Sequence, residues 1–195
     1  MSFVPTKTKW RPSGEGDGAL VYLSLGSLGS ADVDLMRRLV EVLGETPHRY
    51  IVSKGPQHDL YELAPNMWGE EFVPQPSILP QVDLVITHAG NNTTTECMHF
   101  GKPMIALPLF WDQYDNAQRV DDTGFGARLR TYAFEPEEMS AAIARLHTWL
   151  GDAIMWLAGA HALAALYHQF VLKDGVLASM LPSALRLRAG RDEAG

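Results

Sequence analysis

Six short apolar runs alternate with helix-patterned segments, and no hairpin turn joins one run to the next. The runs are Leu20-Val21-Tyr22-Leu23-Ser24-Leu25, Tyr50-Ile51-Val52, Phe72-Val73, Leu84-Val85-Ile86-Thr87, Met104-Ile105-Ala106-Leu107 and Ala127-Arg128-Leu129. After the first run, Asp32 precedes Val33, Leu35, Met36, Leu39, Val40 and Leu43 at helical spacing, and Gly44 ends them. Further helical patterns cover His58 to Leu63, Asn92 to Phe100, Asn116 to Thr123 and Pro136 to Leu150. Strands separated by helices pair in parallel. The nearly all-apolar runs at Leu84 and Met104 suit strands covered on both faces. The predicted fold is α/β: a doubly wound parallel sheet of about six strands, helices on both faces, and a helical C-terminal extension.

The 195 residues hold one generous domain. Residues 1–18 read as a linker or tail, 19–150 as the α/β domain and 151–195 as the extension. With 46% hydrophobic residues there is enough apolar mass for a core. Acids outnumber bases 23 to 16, a net charge of −7 that argues against nucleic acid as a partner. The single cysteine, Cys97, excludes an internal disulfide framework and a multi-cysteine zinc site. The first residues hold no apolar run of signal-peptide type. Trp149 to Leu172 is apolar but includes Asp152, His161, His168 and Gln169, so it reads as a buried or interface helix and not as a membrane insertion. A cytoplasmic location is the expectation.

In such sheets ligands bind beyond the carboxyl ends of the strands, which directs attention to three loops. Gly26-Ser27-Leu28-Gly29-Ser30 has small residues that allow close backbone approach, with Ser27 adding a hydroxyl; it also reads as a plain tight turn. Thr87-His88-Ala89-Gly90-Asn91-Asn92-Thr93-Thr94-Thr95-Glu96 leaves a buried strand and opens a helix. A helix N-terminus holds phosphate through backbone N–H groups without a lysine. Gly90 admits the ligand, Asn92 or Thr93 caps the helix or bonds an oxygen, and His88 can donate to the same anion. A structural histidine with an ordinary cap is the competing reading. Glu96 is placed in the first turn, as a dipole partner or as an acceptor for a sugar hydroxyl. In the third loop, after Pro108, Asp112 and Gln113 suit a polyol, and Asp112 suits a helix cap equally well. Before these, Phe72-Val73-Pro74-Gln75 sets an aromatic ring ahead of a proline-fixed turn, able to stack a flat heterocycle or to join the core.

The order of these elements resembles the donor-binding signature of family 1 glycosyltransferases, the UDP-glycosyltransferases and their bacterial macrolide-modifying relatives. The resemblance runs through Phe72-Val73-Pro74-Gln75, Leu79-Pro80, His88 to Thr93, Glu96, Gly101-Lys102-Pro103, Asp112-Gln113 and Asn116-Ala117, covering about Leu20 to Arg130. It implies the GT-B fold, in which two Rossmann-like domains face a cleft and the C-terminal one holds the nucleotide sugar. On that resemblance Phe72, Val73, Gln75 and Glu96 serve base and ribose. Ser27, His88, Gly90, Asn92 and Thr93 hold the pyrophosphate, while Asn91, Trp111, Asp112 and Gln113 meet the sugar. Phe72 stands where the family usually has Trp, and Asn91 replaces a Trp common in plant members.

The resemblance also implies a UDP- or dTDP-hexose donor, transfer with inversion to a hydroxyl of a small acceptor, and no cofactor or metal. The general base is a histidine of the N-terminal acceptor domain, which nothing before Leu20 supplies. This chain is therefore expected to carry the donor half, inactive alone, with the acceptor half as its partner. It is read as a gene fragment, the donor subunit of a two-chain enzyme, or a non-catalytic nucleotide-sugar-binding protein. Apolar groups on several faces of the C-terminal helices give the expectation of a homo-oligomer.

Overall fold

A computed structural model of the chain describes residues 18–172. The expected linker before Gly18, and residues 173–195 of the expected extension, lie outside the described residues. Six parallel strands form one sheet: β1 (Leu20–Ser24), β2 (Arg49–Ser53), β3 (Met67–Glu70), β4 (Leu84–Thr87), β5 (Met104–Ala106) and β6 (Gly126–Arg128). Their order is β3-β2-β1-β4-β5-β6. The helices are α1 (Gly26–Gly29), α2 (Val33–Gly44), α3 (Gln75–Ile78), α4 (Asn91–His99), α5 (Gln113–Asp122) and α6 (Pro136–Tyr167). This is the doubly wound, Rossmann-like arrangement that the alternation of runs implied.

Strand periodicity sends alternate side chains to opposite faces. On one face Val21, Leu23, Val52 and Ile86 pack with Leu35, Met36, Leu39 and Leu43 of α2 and with Met139 and Ile143 of α6. On the other, Tyr22, Ile51, Val85 and Met104 meet Ile78 of α3, Cys97 of α4 and Val120 of α5. Burial pushes the Cys97 thiol up to about 12 and so keeps it protonated. Asp32 caps α2, its Oδ1 accepting the Leu35 N–H at 3.0 Å.

Local readings shift in four places. The third strand is Met67–Glu70, and Phe72-Val73 follows it in a bend. Met67-Trp68-Gly69-Glu70 is an edge strand that pairs with β2 alone, so no apolar run announces it. His58 to Leu63 forms only a 3-10 turn at His58–Leu60. The Gly26 loop winds into the short helix α1, and α5 starts at Gln113, three residues ahead of the expected Asn116.

The chain divides after His147 into two compact units. The first holds the sheet. In the second, the described residues are helical to Tyr167 and finish in a wider π-type turn, His168–Leu172. Met155, Trp156, Leu157, Leu163, Phe170 and Val171 are exposed there. Among the described residues no helix is long and apolar enough to cross a membrane.

Candidate nucleotide-sugar site

Strand order reverses between β1 and β4, which are neighbours in the sheet and whose connections leave to opposite sides. A crevice opens at the carboxyl ends of such a pair. Here it is a pocket of about 390 Å³, within the size range of small-molecule sites. Three chain segments supply its walls: Leu25 to Gly29 after β1, His88 and Gly90 to Thr93 after β4, and Phe110 to Gln113 after β5.

The β4 segment sets the chemistry. Ala89 has φ 61°, a left-handed conformation that costs a non-glycine residue energy, and it is fully buried. Two contacts hold it. Thr87 Oγ1 accepts the Ala89 N–H at 3.3 Å, and Asn116 Nδ2 of α5 donates to the Ala89 carbonyl at 3.0 Å. The turn delivers Gly90 as the cap of α4, which has no side-chain cap bond and no acid in its first turn. The first N–H groups of α4 are therefore left for a ligand at the positive end of the helix dipole.

His88 lies half-buried between two glycines. A Cβ on Gly90 would collide with its Nε2, and one on Gly26 would crowd its Cε1. Gly26 also has φ 69°, so glycine is needed there for both backbone and clearance. Burial lowers the His88 pKa, with the Ser24 backbone and the Asp112 carboxylate opposing it. The protein surroundings therefore favour neutral imidazole, and an anion arriving beside the ring favours imidazolium.

The β5 segment is fixed by its own hydrogen bonds. Gln113 is buried, and its Oε1 accepts the N–H groups of Leu109 at 2.9 Å and Phe110 at 3.2 Å. Tyr114 donates to the Leu109 carbonyl, and Asn116 Nδ2 donates to Asp112 Oδ2 at 3.1 Å. Asp112 is the N-cap position of α5 but makes no cap bond, so its carboxylate stays exposed at the pocket.

The pocket thus gathers Ser27, His88, Gly90, Asn91, Asn92, Thr93, Trp111, Asp112 and Gln113. Phe72, Val73, Gln75 and Glu96 lie outside its lining. Phe72 is exposed, and Val73 packs partly against the core. Gln75 Nε2 donates to Glu96 Oε2 at 2.7 Å and to Thr93 Oγ1 at 3.4 Å, which joins this group to the pocket wall. Two local expectations change. Neither Asn92 nor Thr93 caps α4, because Gly90 holds that position. Glu96 is the sixth residue of α4 and not in its first turn, so it lies clear of the helix N-terminus. Sequence reasoning gave Asn116 no role in the site, although its spacing of four from Asp112 on a helix places the two side chains together.

Comparison with known proteins shows the family. The family model described as "UDP-glucoronosyl and UDP-glucosyl transferase" matches residues 6–163. The chain belongs to this family. Oleandomycin glycosyltransferase of Streptomyces antibioticus is 34% identical over 139 residues, which are 69% of this chain and 31% of that protein. UDP-glucuronosyltransferase 3A1 of Bos taurus is 30% identical over 132 residues, 64% of this chain and 25% of its own. A solved structure of the glycotransferase of kitacinnamycin superposes with a TM-score of 0.66 at 26% identity, covering 75% of this chain and 39% of that one. The chain thus spans about a quarter to a third of the length of these curated relatives. Among the described residues no cluster of His, Cys, Asp or Glu could hold a metal ion.

Proposed function

We propose that this glycosyltransferase chain is the donor-binding half of an inverting enzyme that takes a hexose from UDP or dTDP to a hydroxyl of a small molecule. The observation that carries the reading is the uncapped N-terminus of α4 opening beside His88, at the strand-order reversal of the sheet. Departure of a nucleoside diphosphate from an anomeric carbon builds negative charge on the bridging oxygen. Oriented N–H groups and an imidazole stabilise that charge without rearranging as it grows. In this reading Ser27, His88, Gly90, Asn92 and Thr93 hold the pyrophosphate. Phe72 and Val73 cover the base, and Glu96 accepts from the ribose, set in place by Gln75. Asn91, Trp111, Asp112 and Gln113 face the sugar.

The acceptor and the base that deprotonates it come from an acceptor-binding domain, on the same polypeptide or another. No metal takes part, because the positive end of α4 and His88 carry the charge. Calorimetric titration of the chain with UDP and dTDP tests the proposal. Binding of at least one, unchanged by a chelator, is expected. Absence of binding to both, or binding that needs a divalent ion, contradicts it.

A further inference from the structure

One large side chain in the pocket lining is left mostly outside the core. Trp111 has φ 55°, the left-handed region that a bulky residue enters only where its surroundings or its function keep it. The residue is 76% exposed, so burial does not repay the backbone. Its ring contact is Phe110, met edge-on at 4.8 Å and 71°. The loop does not need the indole to keep its shape, which Gln113, Tyr114 and Asn116 secure by the hydrogen bonds described above. Glycine would suit the backbone at this position better.

Trp111 lines the pocket, beside Asp112 and Gln113. The polar capacity left there is limited. Gln113 Oε1 is taken by two backbone N–H groups, which leaves its Nε2 as a donor. One Asp112 oxygen is engaged by Asn116, which leaves the other to accept. One donor, one acceptor and one large apolar face match a pyranose ring, whose hydroxyls lie around its edge and whose C–H bonds make a flat apolar side.

We infer that Trp111 is a specificity-determining residue for the donor: its indole stacks on the C–H face of a hexopyranose whose edge hydroxyls meet Asp112 and Gln113. The inference rests on the nucleotide-sugar reading above. It requires that Trp111 separate a nucleotide sugar from its nucleotide, and that a smaller residue there spare the fold.

The test is calorimetric titration of the full chain and of Trp111→Gly and Trp111→Phe with UDP, UDP-glucose, dTDP and dTDP-glucose, alongside thermal melts. Wild type should bind one nucleotide sugar more tightly than its nucleotide. Trp111→Gly should weaken that nucleotide sugar by roughly twofold to tenfold, the range of aromatic stacking. It should leave the nucleotide as it was, with a Tm no lower than wild type. Trp111→Phe should keep part of the difference. A full nucleotide-sugar preference in Trp111→Gly overturns the inference while the donor reading stands. A lower Tm together with weaker nucleotide binding also overturns it, making Trp111 a structural residue. Failure of wild type to bind any of the four overturns both.

Discussion

At single residues of the first unit, one side-chain hydrogen bond can make stability depend on pH, and His48 is such a case. Its Nδ1 accepts the Ala19 N–H at 3.1 Å, where the chain enters β1. Protonation of Nδ1 abolishes that acceptor. Burial, and then the neighbouring His147, lower the His48 pKa from its ordinary 6.5. A group whose folded pKa is depressed in this way stabilises the fold fully above its unfolded pKa. The stabilisation falls away as pH drops from about 6.5 toward the folded value. His88 adds a contribution of the same sign. His48→Gln keeps an acceptor that does not titrate. Melts from pH 7.5 to 5 should show a loss in wild type that is about 1–3 °C smaller in the variant. Identical curves would remove His48 as a source of the acid sensitivity.

At the level of elements, the working part is the β4–α4 corner, and the piece that secures it belongs to α5. Asn116 bonds both the Ala89 carbonyl and Asp112, so one side chain ties the left-handed turn before α4 to the loop after β5. Asn116→Ala should cost about 1–2 kcal/mol of stability, the range for a buried acceptor left unpaired. Urea denaturation measures that loss. The same variant should bind UDP several-fold more weakly, because the Ala89 turn sets where the α4 N–H groups point. Undiminished UDP binding would show that the turn keeps its shape unaided.

These elements also show what a sequence reveals and what it hides. Strands β1, β4 and β5 were legible because helices cover both their faces, which leaves continuous apolar runs. Edge strand β3 was hidden, since its packing needs only Met67 fully buried and a glycine at Gly69. A Cβ on Gly69 would collide with the Val52 carbonyl, a contact that depends on the neighbouring strand and has no local sign. The pocket-lining residues were legible through their places at strand ends. The Gln75–Glu96 pair joins residues 21 apart in sequence, and the left-handed Ala89 and Trp111 carry no glycine to announce them.

For the whole molecule, one arrangement stands out: a parallel sheet whose reversal point brings the start of α4 and His88 to the same small volume. The sheet alone does not specify a function, because the same architecture serves many ligands. Membership in the glycosyltransferase family, with these side chains at the reversal point, is what supports the proposed nucleotide-sugar donor. The claim that a diphosphate rests on this corner has a direct consequence for His88. Burial favours the neutral form of its imidazole, and a dianionic neighbour must favour the charged form. By linkage, the affinity gained is present below the pKa of the bound state and lost as pH rises through it. The decisive measurement is an NMR titration of the His88 imidazole across pH, in the full chain with and without UDP. The account predicts a midpoint below 6.5 in the free protein and a rise when UDP is bound. A His88 midpoint that stays unchanged while UDP binds would contradict it.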